Sequence, residues 1–239
     1  MRAALLAPVA LLWACGSSQT TTAHVIESKP GDAATAAPTT PPPEVTLGDH
    51  GFRTPGLPAV SADGKLVVLG ETESDPRGYP NLRVVARDRN DAIVESITVL
   101  RPSELESAMG PGWRNPKLDA RISAANSWLA KLHTTKTLIT LPQLKVDSTD
   151  GYTQHAASSG PTFLDWQKDV VTIKQSGKVL ATYANDLTWH ATETGKCTNP
   201  SKLGAAWVDV ERKLALVQII YNGTDACWEP SAQHHVISW

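Results

Sequence analysis

The sequence predicts a β-rich α+β fold, in which antiparallel meander sheets pack against one main amphipathic helix. Three observations lead to this prediction. Short runs rich in valine, isoleucine and leucine recur along the chain, turn residues separate them, and a single long stretch has apolar residues at helical spacing. Strands that follow one another through short turns form antiparallel sheets, and the helix is expected to cover a face of such a sheet.

The first strands form a predicted meander. The runs "KLVVLGETE" (65–73), "NLRVVARD" (81–88) and "AIVESITVL" (92–100) all have strand composition. The segment "RNDA" (89–92) supplies a tight turn between the second and third runs, and "ADGK" (62–65) supplies another before the first. We therefore expect three consecutive antiparallel strands.

Two helices are predicted in the middle of the chain. Ser103-x-x-Glu106 is a capping box for a short helix, which the "GPG" at 110–112 ends. Asn115 then caps a longer helix that has Pro116 at its first position. One face of the longer helix is apolar and is expected to pack on a sheet. This face consists of Leu118, Ile122, Ala125, Leu129 and Leu132.

Strand patterns return after the long helix. The run "TLITL" (137–141) is a short strand, and 169–184 and 205–221 are hairpins that turn at 175–177 and 211–212. Both faces of 214–221 are mostly apolar, which predicts a central strand covered on both sides. The run "HHVISW" (234–239) is the final predicted strand.

A similarity between two segments of the chain suggests an alternative architecture. "AVSADGKLVVL" (59–69) and "AWVDVERKLALV" (206–217) share a strand, a turn, a Lys-Leu pair and a second strand. The first copy resembles the "SPDGK" turn of TolB-type β-propeller repeats, and the resemblance implies a small β-propeller-like repeat domain. The helix between the copies interrupts a propeller period, so generic hairpins are the favoured interpretation.

The N-terminus has the pattern of an export signal. Arg2 precedes an apolar run at 3–14, which suits a signal-peptide core and is shorter than the roughly 20 residues that span a bilayer. The run leads into Leu12-Trp13-Ala14-Cys15, which resembles the lipobox of bacterial lipoproteins. The resemblance implies that 1–14 is a signal peptide and that Cys15 is the lipidated first residue of the mature chain. An ordinary cleaved signal beside a cysteine is the alternative.

The same resemblance implies a location and a layout. Acyl chains on Cys15 attach such a protein to a membrane of the cell envelope. Gly16 rather than Asp follows the cysteine, so we favour the outer membrane, with the inner membrane or an extracellular face as alternatives. Residues 15–45 comprise the lipidated cysteine and a disordered tether rich in Thr, Ala and Pro, and 46–239 is expected to form a single β-rich domain.

Charge and cysteine content narrow the range of partners. The chain has 22 Lys and Arg against 24 Asp and Glu and no basic stripe, which argues against nucleic acid as a partner. Cys197 and Cys227 are the two cysteines besides Cys15, and in an oxidising compartment a disulfide is the simplest interpretation. A metal or redox pair is the alternative.

Candidate catalytic residues cluster late in the chain. Imidazoles and carboxylates can bind zinc or act in general acid–base catalysis, whereas the sequence has no nucleophile motif or phosphate loop. The candidates are Asp186, His190, His234 and His235, accompanied by Glu193, Asp225 and Glu229. Adjacent residues of a strand point to opposite faces, which predicts that His234 and His235 do not share one site. We predict neither a cofactor nor a metal, and scattered surface residues are the favoured interpretation.

Tryptophan supplies the remaining candidates. The chain has eight tryptophans and two phenylalanines. Trp128 and Trp207 fall in predicted elements and are expected in the core. Trp189 and Trp228 fall in loop-like regions near the cysteines, where their rings could stack on sugars or bind a partner.

Together these features predict a membrane-anchored envelope lipoprotein with a non-enzymatic binding or interaction domain. Its expected partners are the membrane, through the lipid anchor, and an envelope protein or glycan. Two alternatives stay open. One is an envelope hydrolase or metal-dependent enzyme that uses the late His/Asp/Glu cluster, and the other is a tryptophan-based glycan-binding module.

Overall fold

A computed structural model describes the chain over 41–49, 51–75, 78–104, 116–148, 153–157, 161–167, 170–184, 189–192, 195–198, 201–221 and 232–239. All of these residues belong to the unit Thr40–Trp239. Several predictions fall outside the described residues: the signal peptide, the lipidation of Cys15, most of the tether, and Cys227 as a disulfide partner.

Strands dominate the first half of the described residues. A two-stranded ribbon consists of β1 (Thr46–Leu47) and β2 (Phe52–Arg53). A five-stranded antiparallel sheet, named here the helix sheet, consists of β3 (Ala59–Ser61), β4 (Leu66–Glu71), β5 (Leu82–Asp88), β6 (Ile93–Leu100) and β7 (Leu138–Thr140), in the spatial order β6-β5-β4-β3-β7. Between β6 and β7 lie a 3-10 turn at Pro102–Glu104 and the helix α1 (Pro116–Lys136).

The second half adds two more sheets and a ribbon. The outer sheet consists of β8 (Lys145–Ser148), β9 (Thr153–Ala157), β10 (Thr162–Gln167), β11 (Val170–Gln175) and β12 (Lys178–Ala184), each paired with the next. The ribbon consists of β13 (Trp189–Thr192) and β14 (Gly195–Thr198). The central sheet consists of β15 (Ser201–Asp209), β16 (Leu214–Tyr221) and β17 (Gln233–Ser238), with β16 in the middle.

The three sheets stack in layers, with a buried cluster at each contact. The helix α1 covers one face of the helix sheet, where Leu129 and Val84 belong to one cluster. The opposite face of this sheet packs on the central sheet, in a cluster to which β4 contributes Val67 and β16 contributes Leu216. The far face of the central sheet packs on the outer sheet, where Val217 of β16 is buried. The central sheet is therefore covered on both faces, as the apolar pattern of 214–221 predicts.

The helix packs as its sequence predicts. It begins at Pro116, and Ala125 and Leu129 on its inner face are fully buried against the helix sheet. Trp128 is half-buried at the edge of this cluster, and its Nε1 donates a hydrogen bond to Glu95. Trp207, in the central sheet, is buried as expected. No helix among the described residues combines the length and apolar character needed to cross a bilayer.

The prediction of a β-rich α+β fold is confirmed. The predicted meander corresponds to β4–β6, the predicted hairpins correspond to β11–β12 and β15–β16, and the final predicted strand corresponds to β17. The described residues contain three sheets of three or more strands, whereas a propeller has at least about four blades. The propeller alternative therefore gains no support from this part of the chain.

The short helix predicted from Ser103 differs from the structure. The described residues form a 3-10 turn at Pro102–Glu104, and 105–115 lies outside them. The cap also has a different register, because the Glu104 carboxylate accepts the Arg101 N–H at 2.9 Å. Arg121 of α1 holds the same carboxylate through two hydrogen bonds of 2.8 and 2.9 Å. This ion pair fixes the turn against the helix.

The two similar segments form the hairpins β3–β4 and β15–β16, which lie in different sheets. The turns of these hairpins contact each other. Arg212 in the β15–β16 turn donates a hydrogen bond to the Ala62 carbonyl in the β3–β4 turn at 3.2 Å. Gly64 in the latter turn has φ +67°, and a Cβ there would lie 3.2 Å from Cβ of Arg212. A glycine therefore suits both the turn and the close approach of the two sheets.

Candidate functional site

The structure describes only part of the predicted late cluster. His190 and Trp189 lie in β13 and Cys197 lies in β14, and the backbone of His190 is directly opposite that of Cys197. The remaining members lie outside the described residues, and they are Asp186, Glu193, Asp225, Cys227, Trp228 and Glu229. The disulfide and the tryptophan site therefore stay predictions. His234 and His235 are the catalytic candidates whose side chains are described.

His234 and His235 lie at the start of β17 and line one cavity of about 420 Å³. Their side chains do alternate, because His234 lies near Glu71 of the helix sheet and His235 contacts Tyr183 of the outer sheet. The expectation that this alternation keeps them out of one site is wrong. The strand β17 forms the edge of the central sheet, so a cavity at that edge is lined from both of its faces. The lining residues are Glu71, Thr72, Glu73, Arg83, Arg87, Ala232, Gln233, His234 and His235.

Glu71 is the buried anion of this cavity. It lies directly opposite Arg83 in the β4–β5 register, and its Oε2 accepts a hydrogen bond from Arg83 Nη2 at 2.7 Å. Its Oε1 accepts two more from Arg87, at 2.8 Å from Nη2 and 3.2 Å from Nε. Burial raises the pKa of Glu71, but the hydrogen bonds from Arg87 and Arg83 together lower it by a larger amount. The pKa of Glu71 therefore lies below its usual value. The carboxylate is therefore ionised at neutral pH.

Arg87 extends the network to the central sheet. Its Nη1 donates to the carbonyl and to Oδ1 of Asp91, at 3.0 and 3.2 Å. Asp91 lies in the β5–β6 turn with φ 65°, and its Oδ2 lies 2.7 Å from Nδ1 of His235. Its Oδ1 also accepts the backbone N–H of Val236 at 2.8 Å. A continuous path of charge-assisted hydrogen bonds thus joins Glu71 in one sheet to His235 in the next.

His234 has a buried ring nitrogen that lacks a hydrogen-bond partner among the described residues. Its side chain is only 8% exposed, and its Nδ1 lies 4.0 Å from Glu71 Oε1, which is too far for a hydrogen bond. No partner for this nitrogen occurs among the described residues, and the same holds for Nε2 of His235. Burial lowers the pKa of His234 to about 4, although the nearby Glu71 charge opposes this shift. His234 is therefore a neutral imidazole at neutral pH, with one buried ring nitrogen that has no hydrogen-bond partner among the described residues.

Sequence reasoning missed Glu71, Arg83, Arg87 and Asp91. A signal for three of them is present in the strand pattern, because Arg83, Arg87 and Glu71 share the strand faces of apolar residues that pack between the sheets. Charges of opposite sign on the buried faces of neighbouring strands predict an internal ion pair. Asp91 has no such signal, since its partner His235 is 144 residues away.

The chemistry of the cavity is that of a fixed polar surface. Its carboxylate and guanidinium groups already hold one another in defined orientations, which preorganises them for hydrogen bonding. In the part of the chain that the structure describes, no three His, Cys, Asp or Glu side chains are arranged to hold a metal ion.

Comparison with known proteins finds no similar family, protein or structure. No protein-family model, no curated protein and no solved structure matches the chain.

Proposed function

We propose that the protein is a lipid-anchored lipoprotein of the cell envelope whose β-rich domain is a non-catalytic binding module. The anchor rests on Leu12-Trp13-Ala14-Cys15 and on the tether composition of 16–45. The binding role rests on one observation, the cavity at the start of β17, whose charged side chains are held in place by their own ion pairs.

The hydrogen bonds and the lowered pKa of Glu71 favour a binding role for the cavity over a catalytic one. A general acid or base needs a pKa near the working pH and access to the reacting group. Glu71 accepts three hydrogen bonds from two arginines, and these lower its pKa instead of raising it. A carboxylate held in this way is a poor proton carrier and a rigid hydrogen-bond acceptor.

An envelope hydrolase is the second candidate, and one observation favours it. Asp91 and His235 lie 2.7 Å apart, which is the carboxylate–imidazole pair that orients a general base. The other ring nitrogen of His235 is buried, so the described geometry does not expose it to a substrate. Turnover separates the two candidates, because a hydrolase would cleave an envelope substrate and lose that activity in His235→Gln, whereas a binding module would hold its partner without cleaving it.

The anchor is tested by the substitution Cys15→Ser in the full chain. We expect the wild-type protein to incorporate labelled palmitate and to sediment with membranes, and the variant to do neither. Cys197→Ser is the matched control, because it removes a cysteine that lies in the domain and should leave acylation unchanged. Equal membrane association of wild type and Cys15→Ser would refute the anchor.

The binding role is tested by crosslinking in intact cells followed by purification. We expect an envelope protein or glycan to co-purify repeatedly with the wild-type chain. Failure to enrich any such component, under conditions in which the anchor is intact, would refute the binding role.

A further inference from the structure

We propose that the first two residues of β17, Gln233 and His234, form an acid-sensitive latch, which detaches from the helix sheet when His234 takes up a proton while the rest of the domain stays folded. Among the described strands, β17 is an edge strand of the central sheet and pairs with β16 alone. The ends of edge strands open locally at a lower cost in free energy than the whole fold. This inference concerns the fold itself and does not depend on the proposed binding role.

The two ends of β17 are held in different ways. Further along the strand, Val236 and Ile237 are buried in the clusters on the two faces of the central sheet. Asp91 accepts the Val236 N–H at 2.8 Å, and its Oδ2 lies 2.7 Å from Nδ1 of His235. The ring Nδ1 of His234, by contrast, has no hydrogen-bond partner among the described residues. An opening that begins at the latch therefore stops at the contact between His235 and Asp91.

The closed latch suits only a neutral His234 ring. A protonated imidazole is a hydrogen-bond donor at both nitrogens, so Nδ1 would need an acceptor. Oε1 of Glu71 lies 4.0 Å from this nitrogen, beyond hydrogen-bond distance, and already accepts two hydrogen bonds from Arg87. A charged His234 would therefore be buried without a hydrogen bond at Nδ1 or would compete with Arg87 for Glu71. Both arrangements cost free energy, and opening the latch avoids them.

The charged groups around His234 come from several elements and do not change this conclusion. They are Glu71 from β4, Arg87 from β5, Asp91 from the β5–β6 turn and His235 from β17 itself, with Glu73 and Arg83 lining the same cavity and Tyr183 of β12 against His235. Burial has the largest influence and lowers the pKa of His234 to about 4. The charges of Glu71 and Asp91 oppose this shift, and those of Arg87 and His235 add to it.

Opening the latch gives His234 access to water. The cavity of about 420 Å³ that both latch residues line provides a route for water to the ring once the latch moves. A hydrated His234 regains its ordinary pKa of 6.5, so the open form binds a proton at a pH at which the closed form does not. The ratio of open to closed latch should therefore rise about 20-fold between about pH 7 and 5. Glu71 stays ionised over this range, because its pKa in the closed form is lowered from 4.5.

The test is hydrogen exchange of backbone amides in the purified full chain, followed by NMR at about pH 7 and 5 and corrected for intrinsic exchange rates. We expect the protection of the amides at 233–235 to fall about 20-fold, while Leu216 and Val217 in β16 keep theirs. Low concentrations of urea should change exchange at the latch little, because a local opening exposes little surface. Unchanged protection at 233–235 would overturn the proposal. So would a loss shared with β16 and steeply dependent on urea, since that is unfolding of the whole domain.

Two variants assign the effect to His234. His234→Gln removes the titrating ring, so its loss of protection at 233–235 should be below about twofold. His133→Gln is the matched control, because His133 of α1 also has a buried ring nitrogen without a partner among the described residues, and it should keep the wild-type loss. An equal loss in wild type and His234→Gln would refute the latch.

A measurement on the wild type needs no variant to fold. In the closed form, the NMR signals of the His234 ring should remain those of a neutral imidazole at about pH 5. If the ring titrates near pH 6.5 while the amides at 233–235 stay protected, His234 takes up its proton without opening, and the latch does not exist.

Discussion

Lowering the pH from about 7.5 to about 5.5 should weaken the fold through His234. The folded protein holds this imidazole neutral, with a pKa of about 4 against an ordinary value of 6.5. The groups that face it are Glu71 from β4, Arg87 from β5, Asp91 from the β5–β6 turn and His235 from its own strand. The unfolded chain takes up a proton on this residue below pH 6.5 and the folded chain does not. The free energy of unfolding therefore falls as the pH falls.

The size of this effect follows from the shift in pKa. Each pH unit between the two pKa values changes the free energy of unfolding by about 1.4 kcal/mol. Between about pH 7.5 and 5.5 the loss from His234 is therefore about 1.4 kcal/mol, and below the folded pKa it reaches a limit of about 3.4 kcal/mol. Stopping at pH 5.5 keeps Glu71 ionised in both states, because its pKa is lowered from a usual value of 4.5.

The assay is urea unfolding of the wild type and of His234→Gln at both pH values, followed by tryptophan fluorescence. The variant lacks the titrating group, so the wild type should lose about 1.4 kcal/mol more than the variant on acidification. The other histidines and carboxylates are common to both proteins, and their contributions cancel in this double difference. An identical pH dependence in the two proteins would show that His234 is not held neutral by burial, and the reasoning would fail.

Three further predictions concern stability, each measured by urea unfolding. Gly204→Ala should destabilise the fold by about 1–3 kcal/mol, because the new Cβ would lie 2.8 Å from Cγ2 of Ile220 on the neighbouring strand. Leu129→Ala should cost about 3 kcal/mol, since Leu129 is fully buried between α1 and the helix sheet. Asp91→Asn should cost about 1–3 kcal/mol through the lost charged contacts to Arg87 and His235, while asparagine tolerates the turn conformation.

Clear outcomes would contradict each of the three. A neutral Gly204→Ala would mean that β15 and β16 are farther apart at this point than described. A neutral Leu129→Ala would place α1 away from the helix sheet. If Asp91→Asn and wild type unfold alike at neutral pH, the path from Arg87 to His235 contributes nothing to stability.

Much of the layered core is visible in the sequence. Local signals specify β16, because its apolar residues on both faces require cover on both sides, and they specify α1, because Pro116 and the apolar stripe fix its start and its inner face. Periodicity does not reveal β8 and β9. These strands are short, and segments such as "KVDS" and "TQHAA" carry too few apolar residues to form a pattern.

The site could be predicted only in part, for a physical reason. His234 and His235 stand out as titratable residues beside one another in a strand, but their environment depends on Glu71 and Asp91, which lie far earlier in the chain. The face of a strand to which each side chain points follows from the local sequence. Whether two faces line one cavity depends on how several sheets pack together, which the local sequence does not specify. Strand alternation alone therefore gave the right directions for the two rings and the wrong conclusion about their sharing a site.

The path from Asp91 to His235 also bears on the order in which the molecule can be assembled. The two residues are 144 positions apart, so a chain growing from its N-terminus completes the helix sheet long before β17 exists. Val67, Leu69 and Val85 stay uncovered until the central sheet is made, and before β17 exists the ion pairs of this region join only Glu71, Arg83, Arg87 and Asp91. Contacts this distant in sequence close slowly, since a long loop must be ordered first. The cavity is thus among the last features to form. A correctly formed cavity requires that the helix sheet, made early, has already packed against β17, which is made last.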